Sequence, residues 1–277
     1  MIAALCQVDP VSQPLTVKPG KKIRWDDFDP GYRGHFARKQ QAARETAENV
    51  AALADLSYRL YGQCQQSLLI VLQGLDTSGK DGTVRHVMNG VNPQSGLVTA
   101  FKRPTEVELA HDFLWRVHRH CPPRGFIGIF NRSHYEDVLT VRVHKLVKKE
   151  TWKARYAQIM AFERLLVDNR TRLLKCFLHI SKDEQLERLQ RRLDDPAKNW
   201  KFEPQDLLER RLWDKYRQAY EEALTRTNTA EAPWHIIPAN HKWYRDLVIS
   251  RLVRQALEAM RPEFPPPPEE LAQVVLE

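Results

Sequence analysis

Short apolar runs alternate along this chain with longer segments in which apolar residues recur at helical spacing. The runs are about as long as a buried strand and are rich in Leu, Ile and Val, as LLIVL at 68–72 illustrates. They lie at 67–74, 97–101, 125–130, 173–180 and 234–238. Buried strands that alternate with helices form a parallel sheet covered on both faces. The pattern therefore predicts an α/β domain around a five-stranded parallel sheet.

The segments between the runs predict helices. They are expected at 38–61, 80–90, 106–120, 151–169, 183–193, 204–226 and 243–260. The segment at 204–226 has a clear start, because Pro204 stands in its first turn and Asp206 lies near its positive end.

Two terminal stretches lack this periodicity. Residues 1–37 are punctuated by Pro and Gly and predict an extended N-terminal arm, whereas residues 262–277 contain four consecutive prolines and predict an irregular tail. A chain of 277 residues with 42% hydrophobic content can bury one large core. We therefore expect a single domain over residues 38–261.

The turn after the first run contains the most informative motif, GLDTSGKD. Gly74, Gly79 and Lys80 have the spacing G-x-x-x-x-G-K of a phosphate-binding loop. Such a loop directs backbone N–H groups and a helix N-terminus at an anion, and its lysine adds a mobile cation. Asp81 stands where a Ser or Thr hydroxyl usually binds Mg²⁺, which makes Asp76 the first candidate for a metal ligand. A tight turn with a surface lysine is the alternative, but the strand–loop–helix context favours phosphate binding.

A polar cluster, NRSHYED, follows the third run at the edge where open α/β sheets bind ligands. A phosphate-binding loop needs an acidic residue on a neighbouring strand for its metal, so Asp137 is the stronger Mg²⁺ candidate and Glu136 the adjacent one. Arg132 offers the planar fork that suits phosphoryl oxygens. Taken alone, the cluster is also compatible with an ordinary turn of solvated charges.

A basic segment at about 183–215 follows the fourth run. Arg188, Arg191 and Arg192 are spaced i, i+3 and i+4 and are expected to share one helix face. Lys198 and Lys201 come after a break at a proline. This placement predicts a mobile helical lid that closes over a transferring phosphoryl group, although a charged helix face is more often simply solvated.

The net charge of +8 favours a polyanionic partner, which includes nucleic acid, an anionic membrane and a phosphate polymer. No RNA- or DNA-binding signature accompanies it, so we expect no nucleic-acid partner. No run of about 18 apolar residues exists, so we expect no membrane span. Lys102 and Arg103 after the second strand, and Lys145 after the acidic cluster, either line a track for a long polyanion or are plain surface charge.

The four cysteines, Cys6, Cys64, Cys121 and Cys176, are scattered and have no metal-ligand spacing. They are typical of a reducing compartment, and the first residues lack the pattern of a secretory signal. These features predict a cytoplasmic protein.

Several of these stretches together resemble the polyphosphate kinase 2 family. The resemblance runs from about Lys18 to Leu252 in order and rests on GLDTSGKDGTVRHVMNGVNPQ, FKRPTEVELAHDFLWR, RGFIGIFNRSHYEDVLTVRV, LKCFLHISKDEQLERL, DPAKNWKF and APWHIIPANHKW. The SHYEDV form and the single domain copy are similar to the third class. Mild departures are Arg170, where Gly is common, and Asn240, where Asp is frequent.

The resemblance implies a thymidylate-kinase-like P-loop fold of three layers with a helical lid. It implies phosphorylation of AMP and ADP, and of GMP and GDP, by inorganic polyphosphate, reversibly and with Mg²⁺ or Mn²⁺. It also implies a homo-oligomer, either a dimer or a tetramer. Open alternatives are an ATP-dependent nucleoside or nucleotide kinase on the same fold and a non-catalytic, nucleotide-gated nucleic-acid binder.

The resemblance further implies a role for each matching residue. Catalytic roles fall on Asp76, Lys80, Arg132, Asp137 and Arg188. Nucleotide or phosphate binding falls on Gly74, Thr77, Ser78, Gly79, Asp81, Gly82, Thr83, Asn131, Glu136, Arg191 and Arg192. Polyphosphate binding falls on Lys80, Arg85, Lys102, Arg103, Lys145, Lys198 and Lys201. The implied metal ligands are Asp76, Glu136 and Asp137.

Overall fold

The computed structural model describes residues 16–269, and a parallel β-sheet forms its centre. Its strands are β1 Ser67–Gln73, β2 Gly96–Ala100, β3 Ile127–Asn131, β4 Thr171–His179 and β5 Trp234–Pro238. They are all parallel and lie in the order β2-β3-β1-β4-β5. Residues Leu68 to Leu72 of the central strand are fully buried. The predicted α/β class and five-stranded parallel sheet are confirmed.

Ten helices of eighteen described elements complete the fold. They are α1 Lys39–Gln63, α2 Lys80–Met88, α3 Glu106–Leu109, α4 Trp115–His118, α5 Glu136–Val143, α6 Lys149–Asp168, α7 Lys182–Asp194, α8 Pro204–Arg211, α9 Trp213–Arg226 and α10 Lys242–Met260. Helix α10 packs against α1, α2, β4 and β5, whereas α5 packs against α6 and α9. The helices thus form layers on the two faces of the sheet.

Two segments that were each predicted as a single helix are divided into two helices in the structure. The segment at 106–120 is interrupted because the Asp112 side chain accepts hydrogen bonds from the backbone N–H groups of Leu114 and Trp115, at 3.0 and 3.1 Å, and starts a new helix there. The segment at 204–226 divides at Leu212, whose N–H bonds to the Glu209 carbonyl while Trp213 turns into the core. Helix α5 was not predicted, because the four apolar residues among its eight do not recur at a clear helical period.

The described part of the predicted arm, residues 16–37, lies against the body. Val17 donates a 3.0 Å backbone hydrogen bond to Trp234 at the start of β5, and Ile23 and Trp25 are buried. Predictions that concern residues 1–15, including Cys6, and residues 270–277 fall outside the described residues. Within residues 16–269, no helix is long and apolar enough to cross a membrane.

Candidate active site

Parallel strands bring the loops after their carboxyl ends to one edge of the sheet, and here these loops surround a cavity of about 820 Å³. The loop after β1, the turn after β3 and the segment after β2 all contribute to its wall. Of the predicted site residues, the cavity is lined by Gly74, Asp76, Lys102, Arg103, Arg132, Glu136 and Asp137. Residues widely separated in sequence therefore converge on one space.

The backbone of the predicted phosphate-binding loop requires glycine at both ends. Gly79 has φ +101°, and a Cβ there would lie 1.9 Å from Nη1 of Arg245. A Cβ on Gly74 would lie 2.7 Å from Oγ of Ser78 and 2.8 Å from the Leu178 carbonyl oxygen. Only glycine fits such close approaches, so the loop can wrap tightly around the start of α2.

Four side-chain oxygens around this loop are buried without a hydrogen-bond partner among the described residues: Asp76 Oδ2, Thr77 Oγ1, Ser78 Oγ and Thr83 Oγ1. Buried polar atoms are costly when unpaired and are normally satisfied. Hydroxyl groups can donate to phosphate oxygens, and a carboxylate can bind a cation. The loop therefore has the chemistry of a site for a phosphate group with a metal ion.

Lys80, the first residue of α2, points back over the loop. Its Nζ donates hydrogen bonds to the carbonyl oxygens of Gly74 at 2.8 Å and Leu75 at 3.2 Å. Burial, with a further contribution from the nearby Arg132, lowers the pKa of Lys80 to about 8, and Asp76 opposes this shift. Lys80 is thus a cation at neutral pH that is held at the loop by the loop's own carbonyls.

The turn after β3 presents a cation and two carboxylates. Arg132 adopts a left-handed backbone conformation with φ +63°. Burial alone would lower the pKa of Arg132, but Glu136 and other neighbours raise it above its ordinary value. Burial raises the pKa of Asp137 to about 6, although Arg155 and Arg116 oppose the shift. The Asp137 carboxyl is anchored by Arg155, whose Nη1 lies 3.3 Å from Oδ1.

Two cations of the predicted lid reach the phosphate-binding loop. Arg192 Nη1 lies 3.7 Å from Asp76 Oδ2 and 3.5 Å from Asp206 Oδ2. Lys201 Nζ lies 3.6 Å from Asp81 Oδ2, and the Asn131 amide donates a 2.9 Å hydrogen bond to Oδ1 of the same carboxylate. The segment from α7 to α8 is therefore in contact with the start of α2.

Arg188, Arg191 and Arg192 lie on one continuous helix, α7, but their side chains differ in depth and are 5%, 55% and 22% exposed. Arg188 lies behind the loop and donates to the backbone carbonyls of Thr77 at 2.9 Å and Ser78 at 3.1 Å. Each helical residue advances by about 100°, so positions 191 and 192 diverge to opposite sides of position 188. Arg188 thus supports the loop, while Arg191 pairs with Glu184 on the surface.

Other predicted phosphate-binding cations lie outside the cavity. Arg85 and Lys145 are exposed and are not among its lining residues. Lys198 is exposed and forms an ion pair with Asp195 within its own turn. The structure therefore divides the predicted basic track into a group at the cavity and a dispersed surface group.

Two cavity-lining arginines were missed from sequence. Arg155 on α6 donates a 2.9 Å hydrogen bond to the Asp137 carbonyl oxygen. Arg116 on α4 donates a 2.9 Å hydrogen bond to the Lys102 carbonyl oxygen and lies 3.3 Å from Glu108 Oε2. Arg155 stands outside the stretches that carry the family resemblance, and Arg116 ends the stretch FKRPTEVELAHDFLWR without an assigned role, so only the folded arrangement places both at the site.

Within residues 16–269, no three or more ligating side chains lie close enough together to bind a metal ion by themselves. Mg²⁺, however, commonly binds through one or two carboxylates together with waters and substrate phosphates. Asp76, whose Oδ2 has no hydrogen-bond partner and only a 3.7 Å ion-pair contact with Arg192, lines the same cavity as Glu136 and Asp137. This donor set fits a magnesium ion that arrives with a phosphate substrate.

Comparisons with known proteins identify the family to which the chain belongs. A family model described as "Polyphosphate kinase 2 (PPK2)" matches residues 36–265. The chain is 48% identical to the AMP/ADP-polyphosphate phosphotransferase of Meiothermus ruber over 262 residues, which cover 94% of this chain and 98% of that protein. It is 43% identical to the ADP-polyphosphate phosphotransferase of Rhodopseudomonas palustris over 261 residues, 90% of each chain. The crystal structure of polyphosphate kinase 2 from Arthrobacter aurescens TC1 matches with a TM-score of 0.90 at 40% identity, covering 94% of this chain and 93% of that one.

Proposed function

Because the chain belongs to the polyphosphate kinase 2 family, we propose that it transfers phosphoryl groups from inorganic polyphosphate to AMP and ADP. The proposal includes GMP and GDP as further acceptors, and the reverse reaction in which a nucleotide returns its terminal phosphoryl group to the polymer. The names of the relatives support the donor and the adenine nucleotides. The remaining substrates follow from the chemistry, since the phosphate end of every such nucleotide is the same.

One observation carries the proposal: the phosphate-binding loop opens into a cavity that also holds basic residues and carboxylates. Both substrates are polyanions, so a site that joins them must offset their mutual repulsion. Lys102, Arg103 and Arg132 line the cavity and supply positive charge, while Asp76 and Asp137 supply metal-binding oxygens. The arrangement suits two phosphate chains that meet end to end.

The chemistry requires positioning and charge stabilisation, without a protein nucleophile. Lys80 and Arg132 would bind oxygens of the transferring phosphoryl group, and Arg192 would add positive charge from the lid side. Asp76, Glu136 and Asp137 would hold Mg²⁺, which when bound neutralises phosphate oxygens and keeps donor and acceptor aligned. Closure of the segment around α7 and α8 would exclude water, which would otherwise hydrolyse the polymer.

The decisive test uses purified protein with polyphosphate, Mg²⁺ and either AMP or ADP, and resolves AMP, ADP and ATP by chromatography. We expect ADP and ATP to form from AMP, and ATP from ADP. Omission of Mg²⁺ with excess chelator should abolish the products, and Mn²⁺ should restore them. If AMP is phosphorylated only when ATP replaces polyphosphate, the protein is an ATP-dependent nucleotide kinase and the proposal is wrong.

The assembly state belongs to the same proposal. We propose a homo-oligomer, a dimer or a tetramer, in line with the resemblance to this family. Light scattering on the eluate of a size-exclusion column gives the mass directly against the chain mass of 32.4 kDa. A mass equal to that of one chain at micromolar concentration would rule out the oligomer.

A further inference from the structure

A buried ion pair lies beneath the turn that carries Glu136 and Asp137. Lys175 of β4 donates a 2.7 Å hydrogen bond from Nζ to Oε2 of Glu163 on α6. The two side chains are 0% and 3% exposed. Neither residue lines the cavity, and the reaction proposed above makes no direct use of either.

The pair is tied to the two residues that precede Glu136. The Tyr135 hydroxyl donates a 2.7 Å hydrogen bond to Glu163 Oε1 and accepts one of 3.2 Å from Lys175 Nζ. Nε2 of His134 lies 3.3 Å from the same Glu163 oxygen. Lys175 completes its three N–H bonds with the Thr227 carbonyl oxygen at 2.7 Å. The network therefore fastens both side chains of the turn to β4 and α6.

The anchored residues also begin the helix that presents the carboxylates. The Asp137 N–H donates a 3.2 Å hydrogen bond to the His134 carbonyl oxygen, and the N–H groups of Val138 and Leu139 each donate a 3.0 Å bond to that of Tyr135. Displacement of His134 or Tyr135 would therefore tilt the first turn of α5. Arg132, just upstream, has a left-handed backbone at φ +63°, a conformation that needs support from its surroundings.

The buried ion pair is better explained by its effect on the position of its neighbours than by a net gain in the free energy of unfolding. Burial lowers the pKa of Lys175, and Glu163 opposes that shift. Burial would raise the pKa of Glu163, but Lys175 and His134 hold it below its ordinary value. An ion pair removed from water is often no more stabilising than an apolar pair of similar volume, because desolvation offsets the attraction. What an apolar pair cannot provide is the hydrogen bonding that holds Tyr135 and His134.

We propose that Glu163 and Lys175 are positioning residues that set the place of Glu136 and Asp137 in the cavity. The inference rests on the proposed function, in which these two carboxylates hold the metal of the phosphate substrate. It explains why charged groups lie in the core directly behind the turn. Partners of metal-binding side chains commonly change metal affinity or activity by about 10–100-fold when they are replaced.

The main test replaces both charges together, as Glu163→Leu with Lys175→Met, so that no unpaired charge is left in the core. We expect the variant to fold with a somewhat lower melting temperature, because Tyr135, His134 and Thr227 lose hydrogen-bond partners, and with a kcat about 10–100-fold lower. A second variant, Tyr135→Phe, keeps the ion pair and its contact with His134 and removes the link through the Tyr135 hydroxyl. We expect it to fold and to show a smaller fall in kcat, with the KM for polyphosphate unchanged.

A second measurement does not depend on catalysis. It determines the affinity for Mn²⁺ in the presence of ADP by electron paramagnetic resonance. We expect the double variant and Asp137→Asn to bind Mn²⁺ about tenfold more weakly than the wild type, or more weakly still. Ile236→Val in β5 is the control, because it removes one buried methylene and destabilises the core without removing a hydrogen-bonding group. It should leave kcat and Mn²⁺ affinity at wild-type values.

The inference is overturned if the double variant and Tyr135→Phe both keep wild-type kcat and Mn²⁺ affinity. If the double variant does not fold, the kcat and the Mn²⁺ affinity of Tyr135→Phe test the inference instead. Failure of the wild type to phosphorylate AMP and ADP from polyphosphate would instead contradict the proposed function. In that case the Mn²⁺ measurement still reports whether the network positions the carboxylates.

Discussion

The ammonium group of Lys80 donates a 2.8 Å hydrogen bond to the carbonyl oxygen of Gly74, the residue that opens the phosphate-binding loop. A second bond, of 3.2 Å, reaches the Leu75 carbonyl oxygen, so two of the three N–H groups of Lys80 contact the loop's own backbone. The cation is therefore held in place before it meets a phosphate. Such preorganisation lowers the cost of stabilising charge in the transition state.

This arrangement predicts a basic limb in the pH dependence of the reaction. Burial lowers the pKa of Lys80 to about 8, so the free enzyme loses this cation as the pH rises through that value. We expect kcat/KM to fall above about pH 8, whereas the limb in kcat lies at higher pH because a bound phosphate raises the pKa.

The matched variants are Lys80→Ala and Lys80→Arg. The first should lower kcat by on the order of a hundredfold or more, with an unchanged circular dichroism spectrum. The arginine remains protonated at every pH measured, so whatever activity it supports should lack the basic limb. A wild-type kcat/KM that stays level to pH 10 would show that Lys80 does not titrate in this role.

A second prediction concerns Arg188, which connects the lid helix to the loop. Its guanidinium donates to the carbonyls of Thr77, Ser78 and Asn240 and to the carboxylate of Glu184. Arg188→Gln would leave buried carbonyls and a carboxylate without their partner, so we expect a loss of about 3 kcal/mol in the free energy of unfolding. Urea denaturation measures it. A change below about 0.5 kcal/mol would mean that the buried contacts are not maintained in solution.

Local patterns in the sequence were sufficient for the sheet and for the loop. The run at 234–238 predicted β5 with the observed bounds, and Lys80 was expected to begin a helix, as it does in α2. Both results depend on short-range chemistry: apolar runs fit buried strands, and the glycines of the loop are needed where the backbone turns. The convergence of Asp76 and Asp137 followed from the rule that parallel strands end at one edge.

Contacts that depend on helix rotation or on distant partners could not be predicted in this way. Lys175 lies within an apolar run that predicts a buried strand, and nothing in that run indicates that Glu163, twelve residues earlier, neutralises it. The separation of Arg188 from Arg191 depends on how α7 is rotated against the loop. Spacing fixes the angle between two side chains but not which of them faces the core.

The two neighbouring arginines of the lid provide a third prediction. Arg192 lies 3.7 Å from Asp76 Oδ2 and is mostly buried, whereas Arg191 is exposed and pairs with Glu184. Arg192→Gln should lower kcat by on the order of a hundredfold, because a cation in a closed site acts most strongly as charge develops. Arg191→Gln should leave kcat within about twofold, since exposed ion pairs contribute little. Equal effects of the two variants on kcat would contradict the different roles assigned here.

The basic residues outside the phosphate-binding loop allow a last comparison between Lys102 and Lys145. Both are exposed lysines, but Lys102 lines the cavity and Lys145 does not. If the polymer passes through the cavity, Lys102→Gln should raise the KM for polyphosphate by about two- to fivefold and leave kcat unchanged, because it weakens ground and transition states alike. Added salt should reduce the difference from wild type, since the lost interaction is screened.

Lys145→Gln should behave as wild type at every chain length tested. A larger effect at Lys145 than at Lys102, growing with chain length, would mean that the polymer runs over the outer surface and that the cavity holds only the nucleotide and the polymer end.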